Sequence, residues 1–123
     1  MPAYVTVLGQ SADFFEHVQR VLLSDARFID HGDHIHCDGT SAPLTNIYAV
    51  QNHPWEWEGW APIPGMPNPQ TMSTLLLECR DPEWVAVIGR KIADGLVEPV
   101  WLVDAHEAVW PAAAVDAARI KLT

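Results

Sequence analysis

Basic residues are scarce. Lys and Arg number 7 against 16 Asp and Glu, a formal charge of −9. A surface this negative repels nucleic acid and anionic membrane, because both present phosphates, so neither is expected as a partner. It attracts basic proteins and speeds their encounter, although the same charge also serves solubility. No run approaches the roughly 18–20 consecutive apolar residues of a membrane span. The N-terminal Met1-Pro2-Ala3-Tyr4 has neither a basic n-region nor an apolar h-region, so a cytoplasmic protein without a signal peptide is expected. Only Cys37 and Cys79 carry thiols, and neither belongs to a Cys-x-x-Cys pair. Two free, buried thiols are the expectation, with a Cys37–Cys79 disulfide as the alternative. Gly-x-Ser-x-Gly elbows and Gly-rich phosphate loops are missing, as are repeats and low-complexity tracts. No enzyme class is therefore named by a motif.

What is present suits one folded domain over residues 1–123. The apolar content is 49% and the charged content 19%, ordinary values for a globular chain. Residues 3–9 read as a strand, and 11–24 as a helix with Ser11 as N-cap and Phe14, Phe15, Val18, Val21 and Leu22 on one face. Arg27 to Asp38 reads as a hairpin turning at His31-Gly32-Asp33, Asp38 to Ser41 as a second turn, and Thr45 to Val50 as a strand. Thr71 to Glu78 is a strand whose Leu75-Leu76-Leu77 centre suggests burial on both faces.

The clearest helix signal follows, with Asp81 as N-cap, Pro82 at N1, a stripe of Trp84, Val85, Ile88, Ile92 and Leu96, and Gly95 as a stop. Val100 to Val103 and Ala108 to Trp110 read as a hairpin, Ala112 to Ala118 is ambiguous, and Arg119 to Leu122 reads as a last short strand. The order predicts an α/β chain of the α+β type: a two-layer sandwich with a mixed or antiparallel sheet, two helices and, as a first guess, ferredoxin-like topology.

Three stretches carry candidate chemistry. The hairpin Asp30-His31-Gly32-Asp33-His34-Ile35-His36-Cys37-Asp38 concentrates three imidazoles, a thiol and three carboxylates. On a strand His34 and His36 share a face, and two ligands at that spacing can share a metal. A zinc site needs three or four ligands, however, and Cys37 faces the other way. No metal and no cofactor are expected, and a polar, exposed hairpin is the plainer reading. Gly9-Gln10-Ser11, between strand and helix, is a place where anions bind, but a single glycine in an acidic chain argues against phosphate. Residues 51–70 hold five of the ten prolines and three of the six tryptophans. There Trp55, Trp57 and Trp60 alternate with Glu56 and Glu58. Trp buries a large area with few rotors, and proline limits the cost of ordering a loop on binding. A tryptophan lid folded over the core is the competing reading of that loop.

A small acidic α/β domain with an aromatic–acidic loop resembles the immunity proteins of bacterial polymorphic toxin systems. The tail, Pro99-Val100-Trp101-Leu102-Val103-Asp104 with Val109-Trp110-Pro111, Val115-Asp116 and Arg119-Ile120, also looks like small bacterial proteins of that kind. The resemblance is one of type over the whole chain and carries no residue roles with it. It implies a non-enzymatic cytoplasmic inhibitor that binds a cognate toxin domain. On the residues themselves, Asp30, Asp33, Asp38, Trp55, Glu56, Trp57, Glu58 and Trp60 are the candidate partner-binding set, and the partner is a basic protein. Two alternatives stand beside this: a small metal-dependent or hydrolytic enzyme centred on His34 and His36, and a homodimer or larger homo-oligomer packed through tryptophans.

Overall fold

The computed structural model describes residues 3–51 and 65–123. Seven strands form one antiparallel sheet: β1 (Tyr4–Gly9), β2 (Ile29–Asp30), β3 (Ile35–Cys37), β4 (Thr45–Val50), β5 (Ser73–Cys79), β6 (Trp101–Val103) and β7 (Val109–Pro111). Among the described residues two α-helices, α1 (Phe14–Leu22) and α2 (Pro82–Gly95), complete an α+β sandwich. The spatial order is β2-β3-β4-β5-β1-β6-β7. Its centre, β4-β5-β1-β6, interleaves two split β-α-β units, as a ferredoxin-like expectation requires of four strands. The hairpin β2–β3 extends one edge and β7 the other.

Strand alternation divides the molecule into two layers. Val5, Val7, Ile35, Ile47, Leu75, Leu77 and Leu102 project to one side, where they pack with Phe14, Val18 and Leu22 of α1 and with Trp84, Val85, Ile88 and Ile92 of α2. The other side carries a smaller cluster of Leu8, Met72, Trp101 and Val103. Leu76, on that second side, is half-buried, so the Leu75–Leu77 run is fully covered only on its helix face.

Helix α2 starts as its sequence dictates. The Asp81 side chain accepts from Trp84 N at 3.0 Å, with Pro82 in the first turn. Gly89 lets this helix approach the 3-10 turn at Ala112–Ala114, since a Cβ there would lie 2.5 Å from the Ala112 carbonyl oxygen. Helix α1 differs from expectation. It begins at Phe14, three residues later than proposed, and its N-cap Asp13 makes no side-chain cap bond. Ser11 is not the cap because Glu98 claims it: the carboxylate accepts from the backbone N–H groups of Gln10 and Ser11, both at 3.1 Å, and from the Ser11 hydroxyl. The Gly9-Gln10-Ser11 junction is thus filled by the chain's own Glu98 carboxylate.

The expected last strand at 119–122 is also corrected. Asp104 and the backbone draw this tail against the sheet without ladder pairing: Tyr4 N donates to Leu122 O at 3.0 Å, and Ala105 N to Lys121 O at 2.8 Å. Cys37 and Cys79 are free and buried, so the disulfide alternative is excluded.

Candidate interaction surface

The β2–β3 hairpin stands at the edge of the sheet and presents most of the chemistry singled out above. It turns at Gly32, whose φ of +88° is open to glycine at little cost, and it closes with His31 N donating to His34 O at 3.0 Å. Asp30 Oδ1 accepts from Gly32 N at 2.7 Å, and Asp38 Oδ1 accepts from Thr40 N at 3.0 Å and Thr40 Oγ1 at 2.6 Å. These short-range bonds aim the two carboxylates without neutralising them. Asp33 has 90% of its side chain exposed and bonds His34 Nδ1 at 2.7 Å. An ionised carboxylate only accepts, so Nδ1 carries the proton. That bond holds the Asp33 carboxyl below its usual range, and the Thr40 hydroxyl and N–H do the same for Asp38. Both carboxylates are ionised at neutral pH. Among the described residues no Lys or Arg forms an ion pair with Asp30, Asp33 or Asp38.

The three imidazoles of the hairpin touch one another. His31 stacks on His34 with centroids 4.8 Å apart and planes 4° apart. His36 lies edge-on to both, at 5.3 Å from His31 and 6.3 Å from His34. The shared face read for His34 and His36 is therefore what the strand produces. Cys37 points into the helix-side core, where burial pushes its thiol pKa up, away from the reactive range. Among the described residues no group of three His, Cys, Asp or Glu is arranged to hold a metal ion.

The sheet continues this surface inward. In register, Ile29 pairs with His36, His36 with Asn46, and Asn46 with Glu78. His36 Nδ1 lies 2.9 Å from Asn46 Oδ1. Tyr48, one alternation along β4, is hydrogen-bonded to Glu78; burial first, then that carboxylate, raise its phenol above the ordinary range. A shallow depression of about 540 Å³ runs between Asp33, His34, Asn46, Tyr48, Ala49 and Glu78. Asn46 and Glu78 also border a larger open groove of about 840 Å³ at the strand ends, beside the exposed Leu44 and the start of α2. Asn46, Tyr48 and Glu78 lie outside the candidate set that the sequence offers. Their signal was the alternation of Asn46 and Tyr48 against Ile47, but it becomes visible only once β3 and β5 are known to flank β4.

The remaining candidates divide in two. Asp30 and Asp33 lie at the β2–β3 turn, and Asp38 opens the turn between β3 and β4. Trp55, Glu56, Trp57, Glu58 and Trp60 lie outside the described residues. Trp84 belongs to the core: its Nε1 donates to Thr45 Oγ1 at 3.1 Å, Phe28 stacks on it, and the Arg27 guanidinium sits 4.7 Å over its ring. Two further charged clusters serve the fold. Asp25 binds Arg27 at 2.6 Å and Lys91 at 3.1 Å, fastening the end of α1 to α2. Buried Asp104 accepts from His106 N, Ala108 N, Trp110 Nε1 and Lys121 N at 2.9–3.2 Å, tying the β6–β7 turn to the C-terminal tail. No protein-family model, curated protein or solved structure matches this chain.

Proposed function

We propose that this protein is a binding inhibitor of a basic partner, acting as a bacterial immunity protein does on a cognate toxin domain, with the β2–β3 hairpin as its electrostatic contact. One observation carries the reading: Asp30 and Asp33 stand on the β2–β3 hairpin at the sheet edge and Asp38 opens the turn that leaves β3, with Asp30 and Asp38 aimed by local hydrogen bonds and none of the three paired with a Lys or Arg. A carboxylate already aimed costs little further entropy when a cation arrives. Unneutralised like charges at one edge give the long-range field that steers a basic protein toward that edge. Asn46, Tyr48 and Glu78 extend the contact over the sheet. Trp55, Trp57 and Trp60, with Glu56 and Glu58, enter this proposal on their sequence alone, as its apolar anchors and further steering charge.

The test begins with co-purification from the source cell, or with the toxin-like domain of a neighbouring gene as bait. Wild type is expected to bind the partner and block its activity at equimolar ratio. Trp57→Ala is expected to raise the dissociation rate and lose at least ~2 kcal/mol of affinity with the fold intact. A partner that binds the hairpin variant Asp30→Asn/Asp33→Asn/Asp38→Asn as fast and as tightly as wild type would refute the hairpin as contact.

A further inference from the structure

The hairpin carries a feature that binding alone does not require. Residues 30–38 hold three acids and three imidazoles, and those imidazoles are in mutual ring contact with centroids 4.8, 5.3 and 6.3 Å apart. Histidine is the side chain whose ordinary charge change falls between about pH 5 and 8. With neutral imidazoles, residues 30–38 carry three negative charges from Asp30, Asp33 and Asp38. With all three imidazoles protonated the same segment carries none, since its other residues are Gly32, Ile35 and Cys37.

We propose that the His31–His34–His36 cluster makes the hairpin a pH-graded contact, holding a basic partner at neutral pH and releasing it as the pH falls toward 5. The proposal rests on the reading of the hairpin as the electrostatic contact. Its physics is local. A proton added to the ring cluster, whose His34 lies 2.7 Å from the Asp33 carboxylate, places a cation on the contact and opposes the partner's own positive charge at close range.

Several charged and polar groups face the cluster. Asp33 bonds His34 directly, and Asp30 and Asp38 flank the segment. From β4 and β5 it meets the neutral Asn46, the Tyr48 phenol and the Glu78 carboxylate. From α1 comes the neutral Gln19, whose Nε2 donates to Gly32 O at 3.4 Å.

The test uses the whole chain with a nona-arginine peptide as probe, at fixed ionic strength from pH 8 to 5.5. Wild type is expected to lose at least ~10-fold in affinity across this range, a change of about 1.4 kcal/mol per tenfold. His31→Gln/His34→Gln/His36→Gln is expected to match wild type at pH 8 and to lose less than ~3-fold, the remainder coming from the histidines elsewhere. His31→Gln/His34→Gln, which keeps the His36 bond to Asn46, is expected to fall between the two and guards against a folding defect in the triple variant. Equal pH profiles for wild type and both variants would overturn the pH grading while leaving the acidic contact standing. If Asp30→Asn/Asp33→Asn/Asp38→Asn binds the peptide at pH 8 as well as wild type, the contact itself is wrong, and the grading falls with it.

Discussion

Asp104 shows how one side chain organises a corner of this fold. Its carboxylate is buried and takes four hydrogen bonds, three from backbone N–H groups and one from an indole. Removing this acceptor takes a partner from four part-buried donors at once, of which Ala108 N and Trp110 Nε1 belong to half-buried residues. Asp104→Ala is expected to cost about 3 kcal/mol, read from the denaturant midpoint, and a loss under ~1 kcal/mol would mean that water replaces the carboxylate freely. Thr74 is the opposite case. Its hydroxyl oxygen is the one buried side-chain N or O among the described residues without a hydrogen-bond partner. Thr74→Val keeps the β-branched shape and removes the unpaired group, so a gain of about 0.5–1 kcal/mol is expected in the same titration. A loss would indicate that the hydroxyl finds a partner in solution.

Among the elements, α2 is the firmest. Ile88→Ala and Ile92→Ala each leave a hole between helix and sheet and are expected to cost about 2–5 kcal/mol. Asp81→Ala removes only the cap and should cost about 0.5–2 kcal/mol. Denaturant midpoints that hardly move for the two isoleucine variants would mean that the stripe does not face the sheet. The bounds of this helix are legible in the sequence because cap, Pro82 and Gly95 are all local signals, but Leu96, read as part of its stripe, lies past the helix end in extended conformation.

What the sequence hid is non-local. Ser11 is a good cap by residue type, and only the fold reveals that Glu98, 87 positions away, occupies it. Residues 119–122 read as a strand by composition, yet they bond to Tyr4, Asp104 and Ala105 from different elements. For the candidate site, the hairpin and its Asp30, Asp33 and Asp38 could be read from turn chemistry and alternation. The contribution of Asn46, Tyr48 and Glu78 could not, because cross-strand neighbours depend on strand order. The Cys37 alternation did identify a thiol that faces away from the imidazoles, which a spacing motif alone would have counted as a ligand.

At the scale of the whole molecule, charge acts in two directions. A formal charge of −9 repels itself, and that repulsion weakens as pH falls toward the sequence pI of about 4.8. Specific carboxylates act the other way. Arg27, through its guanidinium and backbone N–H, holds the Asp25 carboxyl well below the usual carboxylate range, with Lys91 adding to it. Burial alone would raise Glu98, but the Ser11 hydroxyl and the Ser11 and Gln10 N–H groups outweigh it and lower its pKa. A carboxyl depressed in the folded state contributes stability above its unfolded pKa of about 4, and that contribution is lost as pH falls through the folded value. Thermal midpoints should therefore hold or rise slightly from pH 7 to about 5 and fall below about 4. Asp25→Asn should reduce the acid-side fall. A midpoint unchanged down to pH 3 would contradict the ion-pair account.

The same global charge directs the functional reading, since a field that attracts basic proteins needs a place where they land. We propose the β2–β3 hairpin as that place, and kinetics test it most directly. Once the partner is in hand, its association rate with wild type and with Asp30→Asn/Asp33→Asn/Asp38→Asn should be followed from 0.05 to 0.5 M salt at pH 7.5. Steering by the hairpin predicts a wild-type rate that falls steeply as the Debye length shrinks from roughly 14 Å to 4 Å, with the variant slower at low salt and the two converging at high salt. Equal association rates for the two proteins at low salt would contradict the account.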